Sequence, residues 1–530
     1  MIRLACCDKR RPYVQLLRLR VSLFRVIRNF FPSHPSGSCG KFRHTVAFRN
    51  AERGFRKLQL SEYQNFDATG LAELVAQQEV TPGELLDTAL AGVGAVNDKL
   101  NAVVAIFEEE ARRFIDEELA DGPFKGVPFL LKDLTAHYGG QPTGAGWPPR
   151  AAVKPAEDTE LVRRFKKSGV VIFGKTAVPE LAMDWTTRSR AHGVTNNPWD
   201  TNRTAGTSSG GTAAAVAAGV VPMAHGNDGG GSIRVPSSVC GCFGIKPTRG
   251  RNPVAPSGST WQGMLVEHVL SRSVRDSARM LDATQGMQPG QFFNSPPGGD
   301  FASHVGRDPG RLRIGVSTKA PYGAATHPDC VKAVDETVRL LESLGHICED
   351  HDIALPDDGW SAFETFILAE YATDMRLEEQ VLGRKLTAED FPPMLWEMIE
   401  AGNRISAVEV NVATTRLHAV ASAVTSTFSR YDVFLSPTLA QPPLLHEAFP
   451  QATSMRGHYE FYLSWMPFTH IFNVNGSPAM SVPLVWNADG LPIGVQFAAT
   501  PAAEDVLFRL ASQLEAARPW GGKRPPVSVA

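Results

Sequence analysis

Apolar and polar positions alternate along the chain in short stretches of helical and extended spacing. A regular helical pattern first appears near Asp67. Thr81-Pro82-Gly83-Glu84 has the form of a capping box with proline at the first helical position, and Leu85, Leu86, Ala89 and Leu90 follow on one face. Residues 101–106 and 127–131 read as strands, the second ended by Lys132-Asp133. Residues 170–173 read as a strand closed by a Gly-Lys turn. The segment GTAAAVAAG, 211–219, predicts a tightly packed helix. Residues 312–316 predict a strand, and Val331, Val334, Val338, Leu341 and Leu344 line one face of a helix that Gly345 ends. A helix over 405–428 and a strand over 433–435 continue the alternation, which predicts an α/β layered fold. The Pro/Gly-rich stretch 287–310 reads as a long surface loop, and nothing reads as a linker between independent domains.

Composition adds little to this picture, and charge adds more. The chain of 530 residues is 43% hydrophobic and 20% charged, as ordinary globular proteins are. It has no apolar run of about 18 residues, so no integral membrane segment is expected. A net charge of −2 gives no global reason for a nucleic-acid partner. Residues 1–57, however, carry 14 Lys plus Arg against only Asp8 and Glu52. This Arg-rich, acid-poor segment resembles a transit peptide or a membrane-surface helix. The preferred reading is an appended, poorly ordered basic arm, or translated sequence upstream of the real start, because a regular helical pattern begins only near Asp67. Residues 1–60 are therefore set apart from a single domain over 61–525. Seven cysteines at irregular spacing fit a reduced, cytoplasmic protein. Cys240 and Cys242 lie in an apolar run and read as small buried hydrophobes. His346, Cys348 and His351 lack a matching second half, so neither a metal nor another cofactor is expected.

The candidate chemistry begins at AHGNDGGGSIRVP, residues 224–236. Successive glycines allow backbone N–H groups to turn toward one point, where they can hold an anion or a developing oxyanion. Ser232 would then stand where a carbonyl carbon could be attacked. A phosphate loop would need a following Lys, and a dinucleotide loop a following helix, which Pro236 opposes. Gly206-Thr207-Ser208-Ser209-Gly210 matches a nucleophile elbow, but a polar turn precedes it where that motif needs a strand. No histidine, His458 and His470 included, has a context that marks it as the partner base. Lys132, after GVPFLL, is poorly placed for a solvated face; buried, it would favour the neutral form that accepts protons. Residues 360–400 and 455–475 hold Trp360, Phe363, Phe366, Tyr371, Tyr459, Phe461, Tyr462, Trp465 and Phe468, which could pack as core or line a pocket.

GVPFLLKDL followed by GTSSGGTAAAVAAGVVPMAHGNDGGGSIRVPSSVCGCFGIKPTRGR resembles the amidase signature family. GKTAVPELA, NNPWD, DVFLSPT, GSPAMSVPL and GLPIGVQF extend the match from about residue 67 to 520, with the signature core at about 120–255. The variant HGNDGGGS, with Asn227 and Gly229, is similar to the branch that hydrolyses 6-aminohexanoate cyclic dimers. The resemblance implies one large α/β/α layered fold with a central mixed sheet covered by helices. It implies a Ser–cis-Ser–Lys triad of Ser232 as nucleophile, Ser208 as bridge and Lys132 as base. Backbone N–H groups of Gly229, Gly230, Gly231 and Ser232 would form the oxyanion hole, with Thr207, Ser209, Asp228 and Arg234 in support. The implied function is an amidohydrolase acting on a small amide through an acyl-Ser232 intermediate, with a homodimer allowed. A transamidase subunit and a non-catalytic member of the fold are the alternatives. Many members carry Asn after GKT, where this chain has Ala177, so a substrate contact from that position is not carried over.

Overall fold

The computed structural model describes residues 58–530 apart from 255–259, 297 and 450–453. The basic segment 1–57 lies outside the described residues. The capping box forms as read: Thr81 Oγ1 accepts from the Glu84 N–H at 3.1 Å, and the Glu84 carboxylate accepts from the Thr81 N–H at 2.8 Å. The helix Pro82–Leu100 ends in Asn101 with φ 49°, so the next strand starts two residues later than read, at Val103–Ile106. The strand Val171–Thr176 also corrects the reading, because it runs through Gly174-Lys175 without a turn. Lys175 stays in the sheet because its Nζ donates to Thr143 Oγ1 at 2.5 Å and lies 3.8 Å from Asp133 Oδ1.

Two larger sheets organise the described residues, beside a two-stranded ribbon of Arg188–Ser189 and Gly193–Val194. Val171–Thr176 is flanked by Val103–Ile106, antiparallel, and by Pro128–Lys132, parallel. The larger, mixed sheet has eight strands in the order Ile347–Asp350, Arg313–Val316, Val433–Pro437, Pro492–Ala499, Ala479–Trp486, Phe243–Lys246, Val266–Ser271 and Met223–Asp228. The strand Pro128–Lys132 lies beside Met223–Asp228, where the Lys132 N–H donates to His225 Nδ1 at 3.2 Å.

The period-two alternation of the central strands decides what covers each face. Ile245, Val495 and Phe497 pack under the helices Pro328–Ser343 and Glu504–Ala517 through Val334, Leu341, Leu507 and Leu510. Gly494 and Gln496 face the other way, toward the helix Arg234–Cys240. A Cβ on Gly494 would lie 2.6 Å from Ser238 Oγ, so only glycine admits the helix this close. That helix contradicts the reading of Pro236 as a helix breaker. Pro236 is its third residue, and the first-turn N–H groups have no intrahelical partner to lose. Cys240 and Cys242 are fully buried beside it.

The helices Gly359–Leu382, Pro393–Arg404 and Ala407–Thr427 share a separate core of Phe366, Tyr371, Met398 and Leu417. The 287–310 stretch runs over the surface as expected, anchored where Phe301 packs on Phe508. No helix among the described residues is long and apolar enough to cross a membrane.

Candidate active site

Lys132 closes its strand with no exposed surface. Its Nζ donates to Ser208 Oγ at 2.7 Å and to Asn227 Oδ1 at 2.5 Å, and no carboxylate among the described residues touches it. Burial pushes its pKa down to about 7, against the opposing pull of the Glu267 and Asp228 charges. On losing a proton, Nζ gains a lone pair within hydrogen-bonding reach of the Ser208 hydroxyl. Asn227 Nδ2 in turn donates to Thr135 Oγ1 at 2.9 Å, which fixes the amide. Beneath the lysine, His225 Nε2 pairs with Glu267 Oε2 at 2.8 Å. His225 and Asn227 are two residues apart on the strand Met223–Asp228, so both side chains point to the lysine side of the sheet.

Ser208 belongs to the loop before the helix Gly210–Ala217, all of whose residues are buried. The Thr207–Ser208 peptide bond is cis, as the resemblance implied. Thr207 Oγ1 donates to the Asp184 carbonyl, and Ser209 Oγ donates to the Asn227 carbonyl at 3.4 Å. Both supporting residues therefore tie the serine loop to its surroundings. Ala177 is buried against Gly211 at the start of the same helix and is a packing position.

The glycine loop is held from beneath by one ion pair. Arg234 donates to both carboxylate oxygens of Asp228, at 3.0 Å and 2.9 Å, and both side chains are fully buried. Burial alone would raise the Asp228 carboxyl, but Arg234 and the Asn473 amide outweigh it and hold the group well below the usual range. Arg234 also donates to the Thr469 carbonyl, Gln496 Oε1 and Asn473 Oδ1, at 2.8, 2.7 and 2.6 Å. Gln496 donates onward to Ser436 Oγ at 3.1 Å, so the motifs DVFLSPT and GLPIGVQF meet at this arginine. Sequence reasoning had not placed Thr469, Asn473 or Gln496 at the site.

Those contacts orient the loop's peptide planes. The Gly230 carbonyl accepts from Thr469 Oγ1 at 2.6 Å and from the Tyr462 hydroxyl at 3.3 Å. On the far side of that plane, the Gly231 N–H donates to Asp228 Oδ1 at 2.7 Å. Gly231 therefore departs from the expected oxyanion set, because its N–H is already engaged. Its φ of 137° and its approach to Thr469, where a Cβ would lie 2.6 Å from Oγ1, require glycine. The N–H groups of Gly229, Gly230 and Ser232 find no acceptor among the described residues. The Gly231 carbonyl accepts from the Val235 N–H at 2.7 Å, which turns the Ser232 N–H the opposite way, out of the helix. Gly230 and Ser232 are the only partly exposed positions of the loop. The structure thus joins Lys132 to Ser208 directly, while the Ser232 hydroxyl makes no hydrogen bond among the described residues.

A buried amine of lowered pKa against one serine, beside a second serine in a loop whose Gly229, Gly230 and Ser232 N–H groups are free among the described residues, is an arrangement that can support serine hydrolysis with lysine in place of histidine. The Amidase family profile matches residues 84–508. The 6-aminohexanoate-cyclic-dimer hydrolase of Paenarthrobacter ureafaciens is 38% identical over 475 residues, 87% of this chain and 96% of that protein. A solved structure of 6-aminohexanoate cyclic dimer hydrolase complexed with substrate superposes with a TM-score of 0.83 at 36% identity, covering 88% of this chain and 99% of that one. A bacterial aryl acylamidase of the amidase signature family gives a TM-score of 0.77 at 27% identity, over 86% and 96% of the two chains. The chain belongs to the amidase family and is an amide C–N hydrolase.

Proposed function

We propose that hydrolysis proceeds through an acyl-Ser232 intermediate formed by Ser232, Ser208 and Lys132. The contact of 2.7 Å between the buried Lys132 Nζ and Ser208 Oγ carries this reading. Ser208 passes its proton to neutral Lys132 and takes the proton of Ser232 as Ser232 Oγ attacks the amide carbonyl carbon. The developing oxyanion is met by the N–H groups of Gly229, Gly230 and Ser232. The relay then runs backward: the amine nitrogen takes the proton and leaves, and a water molecule cleaves the acyl ester by the same path. No cofactor enters the cycle. The substrate is a small carboxamide, and the cyclic dimer of 6-aminohexanoate is the first to test, because the relatives named for it span nearly the whole of this domain. The decisive experiment is turnover of that dimer and of simple anilides, with mass detection of the acylated protein. Acylation should map to Ser232, and Ser232→Ala should lower kcat by roughly 10⁴-fold or more. Full activity in that variant would refute the assignment.

A further inference from the structure

A group of aromatic rings stands next to the catalytic loop, joined to it by two side chains. Tyr462 and Thr469 both hold the Gly230 carbonyl, and each leads to the group. Half-buried Trp360 is its hub. Its ring centre lies 5.2 Å from Tyr462, 5.6 Å from His470, 5.7 Å from Phe363, 5.8 Å from Tyr459 and 6.1 Å from Tyr322. Within these rings sit polar atoms that nothing satisfies. Both ring nitrogens of His470 and the Tyr459 hydroxyl lack a hydrogen-bond partner among the described residues, although His470 is only 1% exposed and Tyr459 only 4%. Most buried polar groups are paired, so three orphans around one tryptophan call for an explanation.

Resting on the reading of Ser232 as nucleophile, we infer that Trp360, Tyr459 and His470 form a second binding subsite. It receives a neutral amide of the substrate other than the one being cleaved. The chemistry of the orphans selects this group. Burial, aided by the Arg234 charge, pushes the His470 pKa down to about 3, so the ring is neutral and offers one N–H donor and one bare nitrogen acceptor. The Tyr459 hydroxyl, which burial keeps protonated, can donate or accept. An amide group presents the matching acceptor and donor on a planar, partly apolar body that an indole face can cover. A distal carboxylate or ammonium would instead lose its hydration without gaining an ion pair from these three side chains. The preferred substrate therefore carries two amides, one over Ser232 and one at Trp360.

The test compares three substrates of equal length that share a scissile amide and differ at the far end: a neutral amide, a methylene or an ammonium. The wild type should give the highest kcat/KM with the distal amide. His470→Phe and Tyr459→Phe should each lower the amide-over-methylene ratio by about 5- to 100-fold, and His470→Gln should restore part of it. An unchanged ratio in both Phe variants would overturn the subsite, as would a wild-type preference for the methylene or the ammonium. The wild-type comparison needs no variant to fold. Labelling of Ser232 by a fluorophosphonate separates the two readings. A labelled enzyme that does not discriminate refutes the subsite alone, whereas an enzyme that is neither labelled nor active refutes the nucleophile on which the subsite rests.

Discussion

Two buried cations flank the glycine loop, and their surroundings make them opposites. Arg234 has a carboxylate in contact and three further oxygen acceptors around it, so its charge is fully engaged and it serves as a structural pin. Lys132 has one amide oxygen and one hydroxyl, so burial prevails and its pKa falls to about 7. Activity that needs neutral Lys132 should rise with pH and level off above about 7. Asn227 sets this balance by offering a neutral oxygen where an anion would hold the proton. Asn227→Asp places a carboxylate against Nζ and should move the acidic limb of kcat/KM upward by about 1–3 pH units. A pH–rate profile of the two proteins measures this, and an unmoved limb would show that Lys132 is not the titrating base.

The helix Arg234–Cys240 carries the site into the fold, because it starts two residues after Ser232 and rests on the strand Pro492–Ala499. Gly494→Ala would force a Cβ to within 2.6 Å of Ser238 and Ser481 oxygens and lift this helix. A loss of about 1–3 kcal/mol is expected from urea unfolding, and a stability equal to the wild type would refute the close approach. The same elements show what the sequence could reveal. The resemblance to the amidase signature family marked Ser232, Ser208, Lys132, Asp228 and Arg234, because the motifs that carry it are short, dense stretches. Pro236 misled the reading because a rule for helix interiors does not bind the first turn. Lys175 misled it because a polar residue inside a strand is explained by Thr143 and Asp133, which lie more than 30 positions away in sequence. Thr469, Asn473 and Gln496 were hidden because more than 200 residues separate each from the loop it holds. Asn227, noted only for the branch it resembles, and His225 were both left out of the candidate site, although their two-residue spacing on one strand puts them on one face, the face toward Lys132.

Across the whole molecule, burial of lysines at strand ends gives the fold an unusual pH signature. Lys132, Lys175 and Lys246 each sit at or next to the last position of a strand with no exposed surface. Burial lowers their pKa values to about 7, 8 and 7. In the unfolded chain each returns to about 10.4. Between about pH 7 and 9 the unfolded chain therefore binds more protons than the folded one, and stability rises with pH. Each fully neutralised lysine contributes about 1.4 kcal/mol per pH unit to that slope. The gain should diminish toward pH 9, because the cysteines that burial keeps protonated ionise at about pH 8.5 in the unfolded chain, and the tyrosines follow at about pH 10. Urea midpoints measured at pH 7, 8 and 9 should increase in that order. Lys246→Met removes one titrating group without entering the Lys132–Ser208 pair, and should take away roughly one third of the lysine contribution to the slope. Midpoints that stay level from pH 7 to 9 in the wild type would mean that these lysines keep their protons in the folded protein, and Lys132 would then lack the neutral form that its role as base requires.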